Sequence, residues 1–458
     1  MRYRKASLGA FVKNDLHVEF TETGLSSHAG LELLIRYLRS IRFNDRIRRH
    51  FLGISLPGDY GTVAMIRVVL GLLIVGGRRL RHLDFLCGDF LFERFCGLTG
   101  LPSLRTLSRW LGHFTSTSIA RLQAINAEVV SRAIESLSLR TLTVDIDGSV
   151  ISTGLSVERA FRGFNPHHRK VPSYYPITAY LAETGQILRV KNRSGNVHDG
   201  KSSLAFLRDL FRQIEGTGQR GHRLNFRMDG AFFLHPVIRL LASRGAGYCI
   251  KVPFWRRLDL TSIIKARRRW KRLPSGMGCF EITLPVKKWS MTLRVVIYRK
   301  RVSHRSPKNY QLDLFDPDDG YYEYSAITTS LDWSPRHIWN FMAGRGEHEK
   351  VIGILKSQLA FDTVPTRRYG ANSAWQQLVA IAHNLLVAFQ VDTGTTRRNR
   401  SEKRTCLFLL KNPQTLRFEI FNRAGRLVRP NGAAILRLSR NERHRSLFNR
   451  LANALKAA

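Results

Sequence analysis

Three acidic residues sit where the chain is expected to change conformation. Asp147 falls near the end of "LTVDIDGSV", Asp229 closes the strand of "RLNFRMDGAFF", and Glu349 lies inside the helix-like run "NFMAGRGEHEKVIGILK". Carboxylate oxygens are the ligands that hard divalent cations prefer. Three of them meeting at strand and helix ends can hold two ions that align an attacking and a leaving oxygen. Wound at about 100° per residue, the helical run brings Met342, Arg345 and Lys356 to within roughly 40° of Glu349. Ile352, Leu355 and Leu359 fall on another face, the one to bury. Glu347 points nearly opposite Glu349, toward water. His348 has no ligand partner at i±4 and is expected to be exposed. Asp147 in "DGS" and Asp229 in "MDG" also suit ordinary turns, because Asp-Gly pairs are turn formers. Asp145 shares a strand face with Asp147, so alternation alone does not separate the two.

The elements around these residues predict an α/β protein with a mixed sheet. Residues 1–135 carry apolar positions at helical spacing, as in "LELLIRYLRSIRF", and are expected to form a helical DNA-binding region. Within it, "GLPSLRTLSRWLGHF" offers Arg105, Ser108, Arg109 and His113 on a short helix, either the second helix of a helix-turn-helix or a plain surface helix. The stretch 136–392 reads as the catalytic unit. It opens with three meandering strands, two of them around the turn Glu183-Thr184-Gly185-Gln186, and continues by alternating helix and strand. Residues 254–327 form a β-rich insertion with a basic face, after which "SPRHIWNFMAGRGEHEKVIGILKSQLA" restores one long helix started by its Ser-Pro pair. Residues 393–458 are a basic C-terminal region with a hairpin in "LRFEIFNRAGRLVR".

Charge narrows the partner. Among 458 residues, Lys and Arg number 74 against 34 Asp and Glu, a net charge of +40 spread along the chain. Such a field attracts polyanions, above all nucleic acid. "WRR" at Trp255 and "RRRWKR" at Arg267 suit strand binding by charge and stacking, or simply a solvated basic face. Five scattered cysteines with no CxxC spacing argue against a disulfide framework or structural zinc. The best apolar run, "VVLGLLIVGG", is flanked by Arg67 and Arg78 and is too short to span a bilayer. The N-terminus lacks an apolar signal core, so a cytoplasmic, nucleoid-associated protein is expected.

Taken in order, these residues resemble the DDE transposases of bacterial insertion sequences, whose closing helix carries the signature Y-(2)-R-(3)-E-(6)-K. Arg345, Glu349 and Lys356 match its last three members, while Met342, with Phe341 beside it, stands at the tyrosine's position. Asp147-Gly148-Ser149 matches the first acid, and Arg227, Asp229 and Phe232 match the R-x-D-x-x-F context of the second. "GFNPHHRKVPSYYPITAYLAETGQIL" and "SGNVHDGK" are similar to that family's text between the first two acids, and the likeness runs over about residues 139–390. The resemblance implies an RNase H-like core in which Asp147, Asp229 and Glu349 are the catalytic residues and hold two Mg²⁺ ions, replaceable by Mn²⁺. It places Arg345 and Lys356 on the DNA backbone. It also implies cut-and-paste transposition, in which activated water cleaves a phosphodiester at the element's end and the freed 3′-hydroxyl attacks another strand. The implied partners are double-stranded DNA at the element ends, target DNA and a second copy of the chain, as a homodimer in the DNA complex. Asp147 fits the pattern better than Asp145, which would sit beside it and add negative charge. The alternatives are a metal-dependent nuclease on the same fold and a catalytically inactive DNA-binding regulator; the second would lack an acid, and none is missing.

Because charge density supplies most of the attraction, DNA affinity should fall by about 10³-fold or more between 50 and 200 mM salt and should survive removal of divalent metal. A binding constant flat across that range, measured by fluorescence anisotropy, would remove nucleic acid as the partner.

Overall fold

The computed structural model describes residues 17–19, 23–54, 56–163, 170–197, 200, 202–216, 221–302, 322–400 and 405–457. The polar loop 306–320, and parts of the two family-like stretches between the first two acids, lie outside the described residues. One nine-stranded sheet organises the chain: β1 (Thr141–Gly148), β2 (Ile177–Leu181), β3 (Gln186–Lys191), β4 (Arg223–Met228), β5 (Gly247–Lys251), β6 (Lys271–Arg272), β7 (Gly278–Val286), β8 (Met291–Arg301) and β9 (Tyr322–Thr329). Their order is β3-β2-β1-β4-β5-β9-β8-β7-β6. The pairs β1–β2 and β2–β3 are antiparallel, β1–β4 and β4–β5 are parallel, and the remaining pairs are antiparallel. The predicted meander and its turn at 182–185 are therefore present, with Gly185 supplying the left-handed φ of 77° that the turn needs. The basic, β-rich stretch is not a separate module. Its last strand, β9, pairs with β5 and so continues the core sheet.

Helices cover both faces. The described helices are α1 (Leu31–Ser40), α2 (Phe43–His50), α3 (Thr62–Val75), α4 (Phe90–Cys96), α5 (Leu104–Leu111), α6 (Ser116–Ser136), α7 (Ser203–Gly216), α8 (His235–Ser243), α9 (Leu260–Ala266), α10 (Pro335–Ala343), α11 (Gly346–Leu359), α12 (Tyr369–Asp392) and α13 (Glu442–Ala457), besides short helical turns. Leu142, Val144 and Ile146 of β1 pack into a cluster with Phe206 and Leu210 of α7 and Ile238 of α8. On the opposite face Tyr180, Ile187 and Val190 join Leu355 of α11, Trp375 of α12 and the N-terminal helices in a second cluster. Long helix α12 is buried from Ala371 to Gln390, and its polar side chains are used against the sheet edge. The Asn384 amide takes the place of a further strand beside β3, accepting from Ile187 N–H and donating to Ile187 C=O, both at 2.8 Å.

Two local expectations fail for identifiable reasons. The long helix after Ser334 is really two, α10 and α11, separated at Gly344 and Arg345. Ser334 does cap the first, accepting from His337 N–H, with Pro335 at the first helical position. The break has a cause in another part of the chain. The Arg227 guanidinium of β4 donates to Phe341 C=O at 2.9 Å, the carbonyl an unbroken helix would offer to Arg345, and Arg345 N–H turns instead to Met342 C=O. A Cβ on Gly344 would meet Arg227 Nη1 at 2.2 Å, so glycine is the residue that lets the guanidinium in. Downstream, the expected hairpin in 416–429 has its first arm helical. Asn412 accepts from Thr415 N–H with Pro413 next to it, and these helix-start signals prevail over the alternation that follows. The hairpin that does form pairs Gly425–Val428 with Ile435–Leu438.

Arg227 is held by Asp145 on the neighbouring strand. Both side chains are fully buried, and the two guanidinium–carboxylate bonds include Nη2 to Oδ2 at 2.7 Å. Asp145→Asn and Arg227→Met should each lower the unfolding free energy by about 3–5 kcal/mol, since each strands a buried charge. In the double variant the losses should fall short of their sum by more than about 1 kcal/mol. Additive losses in urea melts would show that the pair is not coupled.

Candidate active site

Parallel pairing brings the first two acids together. Ile146 and Met228 are partners across β1 and β4, so the next residues, Asp147 and Asp229, emerge side by side at the strand ends. Each keeps the turn role its sequence allows. Asp147 Oδ1 accepts from Gly148 N–H at 2.9 Å, and Asp229 Oδ1 accepts from Ala231 N–H at 3.0 Å. The other oxygen of each faces the Arg345 guanidinium. Arg345 Nη2 lies 2.7 Å from Asp147 Oδ2 and 3.9 Å from Asp229 Oδ2, while Nη1 donates to Glu349 Oε1 at 2.9 Å. Burial opposes the charge of Arg345, but the surrounding carboxylates of Asp147, Asp229, Glu349 and Asp145 outweigh it and raise its pKa.

Arg345 owes this position to the helix break. It flanks the first turn of α11, where Glu347 and Glu349 sit in the favourable field of the helix N-terminus. Glu349 is 60% exposed and Arg345 only 11%, so the guanidinium is covered while the third acid remains at the surface. The three carboxylates offer hard oxygen donors around one positive charge. Among the described residues no three His, Cys, Asp or Glu side chains stand close enough to hold one ion.

Several expectations need correction. Asp145 sits beside the site as expected and its charge is felt by Arg345, but its carboxylate is paired with Arg227 inside the sheet. His348 is fully buried rather than exposed: its ring stacks on Tyr180 with centroids 5.1 Å apart, and Nε2 bonds Thr178 Oγ1 at 2.9 Å. Burial and the nearby Arg345 and Arg227 lower its pKa to about 3, so the ring that seats α11 on β2 is neutral. Glu347 is more covered than Glu349, 26% exposed, and pairs with Lys350. Met342 is buried on α10, in a different helix from Glu349, so the helical projection does not carry across the break. Ile352, Leu355 and Leu359 are buried as expected. Lys356 does not point freely outward. It donates to Val150 C=O at 2.9 Å, just past Asp147, and burial lowers its pKa against the pull of Asp362 and Asp147. Arg227 was legible only as part of a motif. The signal for its packing role was an opposite charge at an interior position of the adjacent strand, Asp145.

The family described as Transposase DDE domain group 1 matches residues 9–458. The chain belongs to that family of DDE transposases. No curated protein matches it by sequence. Among solved structures, the cryo-EM structure of a piggyBac transposase synaptic complex with hairpin DNA aligns over 79% of this chain and 75% of that one, at 13% identity and a TM-score of 0.42.

On this transposase a basic groove of about 1380 Å³ begins where α11 ends. Arg79, Arg81, Arg105, Arg109, Arg367 and Arg368 line it, so α5, the candidate recognition helix, contributes Arg105 and Arg109, with Ser108 and His113 beside them. Arg78 ties the groove to the site, donating to the carbonyls of Lys356 and Ser357 and to the Asp362 carboxylate at 2.8 Å. In the aromatic-basic runs the two tryptophans have intramolecular partners, while Arg256, Arg268, Arg269, Lys271 and Arg272 are exposed. Arg257 stacks 4.0 Å from the Trp255 ring centre, and Trp270 meets Phe280 edge-on with Arg299 over it at 4.4 Å. All five cysteines are free, and no helix among the described residues is long and apolar enough to cross a membrane.

Proposed function

We propose that this transposase moves an insertion sequence by cut-and-paste, cleaving DNA at the element's ends and joining the freed 3′-hydroxyls to target DNA, with Asp147, Asp229 and Glu349 as its catalytic acids. The observation that carries the reading is the convergence of these three carboxylates on the single guanidinium of Arg345. An RNase H-like reading of the core accords with the strand order β3-β2-β1-β4-β5, three antiparallel strands followed by two parallel ones. The three carboxylates would hold two Mg²⁺ ions, or Mn²⁺ in their place, which supply charge stabilisation to the attacking and leaving oxygens of an in-line displacement.

The chain's own residues do the rest. Arg345 keeps the acids near one another before the cations bind; once they do, its planar fork turns to a phosphate of the DNA backbone. Lys356 holds the loop after β1, fixing the direction of Asp147, and adds positive charge beside the scissile strand. The groove along α5 receives the duplex beyond the cleavage point, its arginines contacting phosphates without reading bases. Water attacks first, and the 3′-hydroxyl it frees attacks second, so no covalent link to the protein forms. Two copies of the chain on paired element ends would form the homodimer. The protein works on DNA in the bacterial cytoplasm, on the nucleoid.

Asp147→Asn, Asp229→Asn and Glu349→Gln should each lower divalent-dependent strand cleavage by about 10³-fold or more while leaving duplex binding within roughly 3-fold, whereas Glu347→Gln should retain activity. An assay with labelled 3′-ends separates joined from merely cleaved products. Equal loss in Glu347→Gln and Glu349→Gln would remove Glu349 from the site. Arg345→Met removes the counter-charge that the three carboxylates share, so Mn²⁺ should raise its melting temperature more than the parent's; equal shifts in differential scanning calorimetry would contradict the bridging role.

A further inference from the structure

Arg67 interrupts the buried apolar run of α3, "MIRVVLGLLIV", and its side chain is 8% exposed. A guanidinium in such a place normally has a carboxylate against it, because burying an unpaired charge is costly. Arg67 has none among the described residues. Nη1 reaches Asn44 Oδ1 at 3.4 Å, while Nε and Nη2 are buried with no hydrogen-bond partner among the described residues. The Phe95 ring 5.0 Å away offers only its π-face. Arg67 is among the residues lining a pocket of about 330 Å³ whose wall includes Arg39, Arg42, Arg48 and Arg94. The local acids are already committed, Asp45 to Arg48 at 2.8 Å and Glu32 to Arg36 and Arg94 at 3.0 and 3.4 Å. Arg39, Arg42 and Arg67 form no ion pair among the described residues. An anion with several oxygens matches the chemistry of a planar guanidinium beside two exposed cations.

We propose that this pocket binds a phosphate group, with Arg67 as its floor and Arg39 and Arg42 at its rim. Guanidinium forks match tetrahedral oxyanions in a bidentate way, and the volume admits a phosphate with its substituent. The phosphate could come from a free anion or from the backbone of bound DNA. The inference does not rest on the proposed catalytic acids, which belong to a different part of the fold.

The test compares melting of the full-length protein in phosphate and in chloride at equal ionic strength, which removes the general attraction of a cationic chain for anions. Phosphate should raise the parent's melting temperature by roughly 3 °C or more, and equally that of Arg239→Ala, an exposed arginine elsewhere. Arg67→Met should lose the shift yet melt no lower than the parent in chloride, because it removes an uncompensated buried charge. Arg39→Ala/Arg42→Ala alters only exposed side chains and should lose at least half of the shift, which decides the matter if Arg67→Met fails to fold. A second arm measures duplex affinity against salt. A log–log slope shallower by about one in the double variant identifies a DNA phosphate as the occupant, and an unchanged slope alongside a phosphate shift identifies a free anion. If the parent shows neither a phosphate-specific shift nor a slope change in the double variant, or if Arg67→Met keeps the full shift, the pocket is not a phosphate site.

Discussion

The buried pair of Asp145 and Arg227 connects parts of the chain that sequence keeps far apart. Its two members come from adjacent parallel strands, and the remaining donors of Arg227 reach Phe341 C=O on α10 and Thr405 Oγ1 at 3.1 Å in the C-terminal region. A charge placed there without its partner would be costly, so the pair fixes how α10 lies on the sheet. Because Arg227 takes a carbonyl from the helix ladder, α10 ends at Ala343 and the chain turns before α11 begins. That turn is what brings Arg345 back over the ends of β1 and β4. The geometry of three acids around one guanidinium thus depends on a second, deeper ion pair that takes no part in the site's own contacts.

The distribution of charge follows the same logic at a larger scale. A chain with a net charge of +40 would ordinarily keep its acids dispersed among cations, yet here three stand around a single arginine. Holding them there costs repulsion that Arg345 offsets. The basic groove starts one helix-length away, joined to the site through Arg78 and the C-terminal turn of α11. Positive potential along the groove and concentrated carboxylate at its end suit a polyanion held by its backbone next to a centre for phosphodiester chemistry.

Local features were legible in the sequence, and features set by distant contacts were not. Strands β1 to β5 could be read because period-two patterns and Asp-Gly or Glu-Thr-Gly turns are encoded within a few residues of one another. The placement of Asp147 and Asp229 at strand ends could be read for the same reason, and the basic character of α5 was visible in Arg105 and Arg109. The break at Gly344 could not be read, since a glycine inside a helical pattern is usually tolerated and its cause is a guanidinium more than a hundred positions earlier in the chain. His348 looked solvated because its sequence neighbours are charged, whereas its environment is made by Tyr180 and Thr178 of β2. The continuation of the sheet through β9 and β5 is likewise a pairing between segments whose local patterns say only that each is a strand.

The central claim is that Arg345 occupies the place of the catalytic cations. It is tested most directly by a crystal structure of the full-length protein soaked in Mn²⁺, with anomalous scattering used to locate the metal. The expected result is a peak bounded by Asp147, Asp229 and Glu349, with the Arg345 side chain turned out of the position it holds between them. A structure in which Mn²⁺ binds elsewhere, while Arg345 still bridges the three carboxylates, would contradict it.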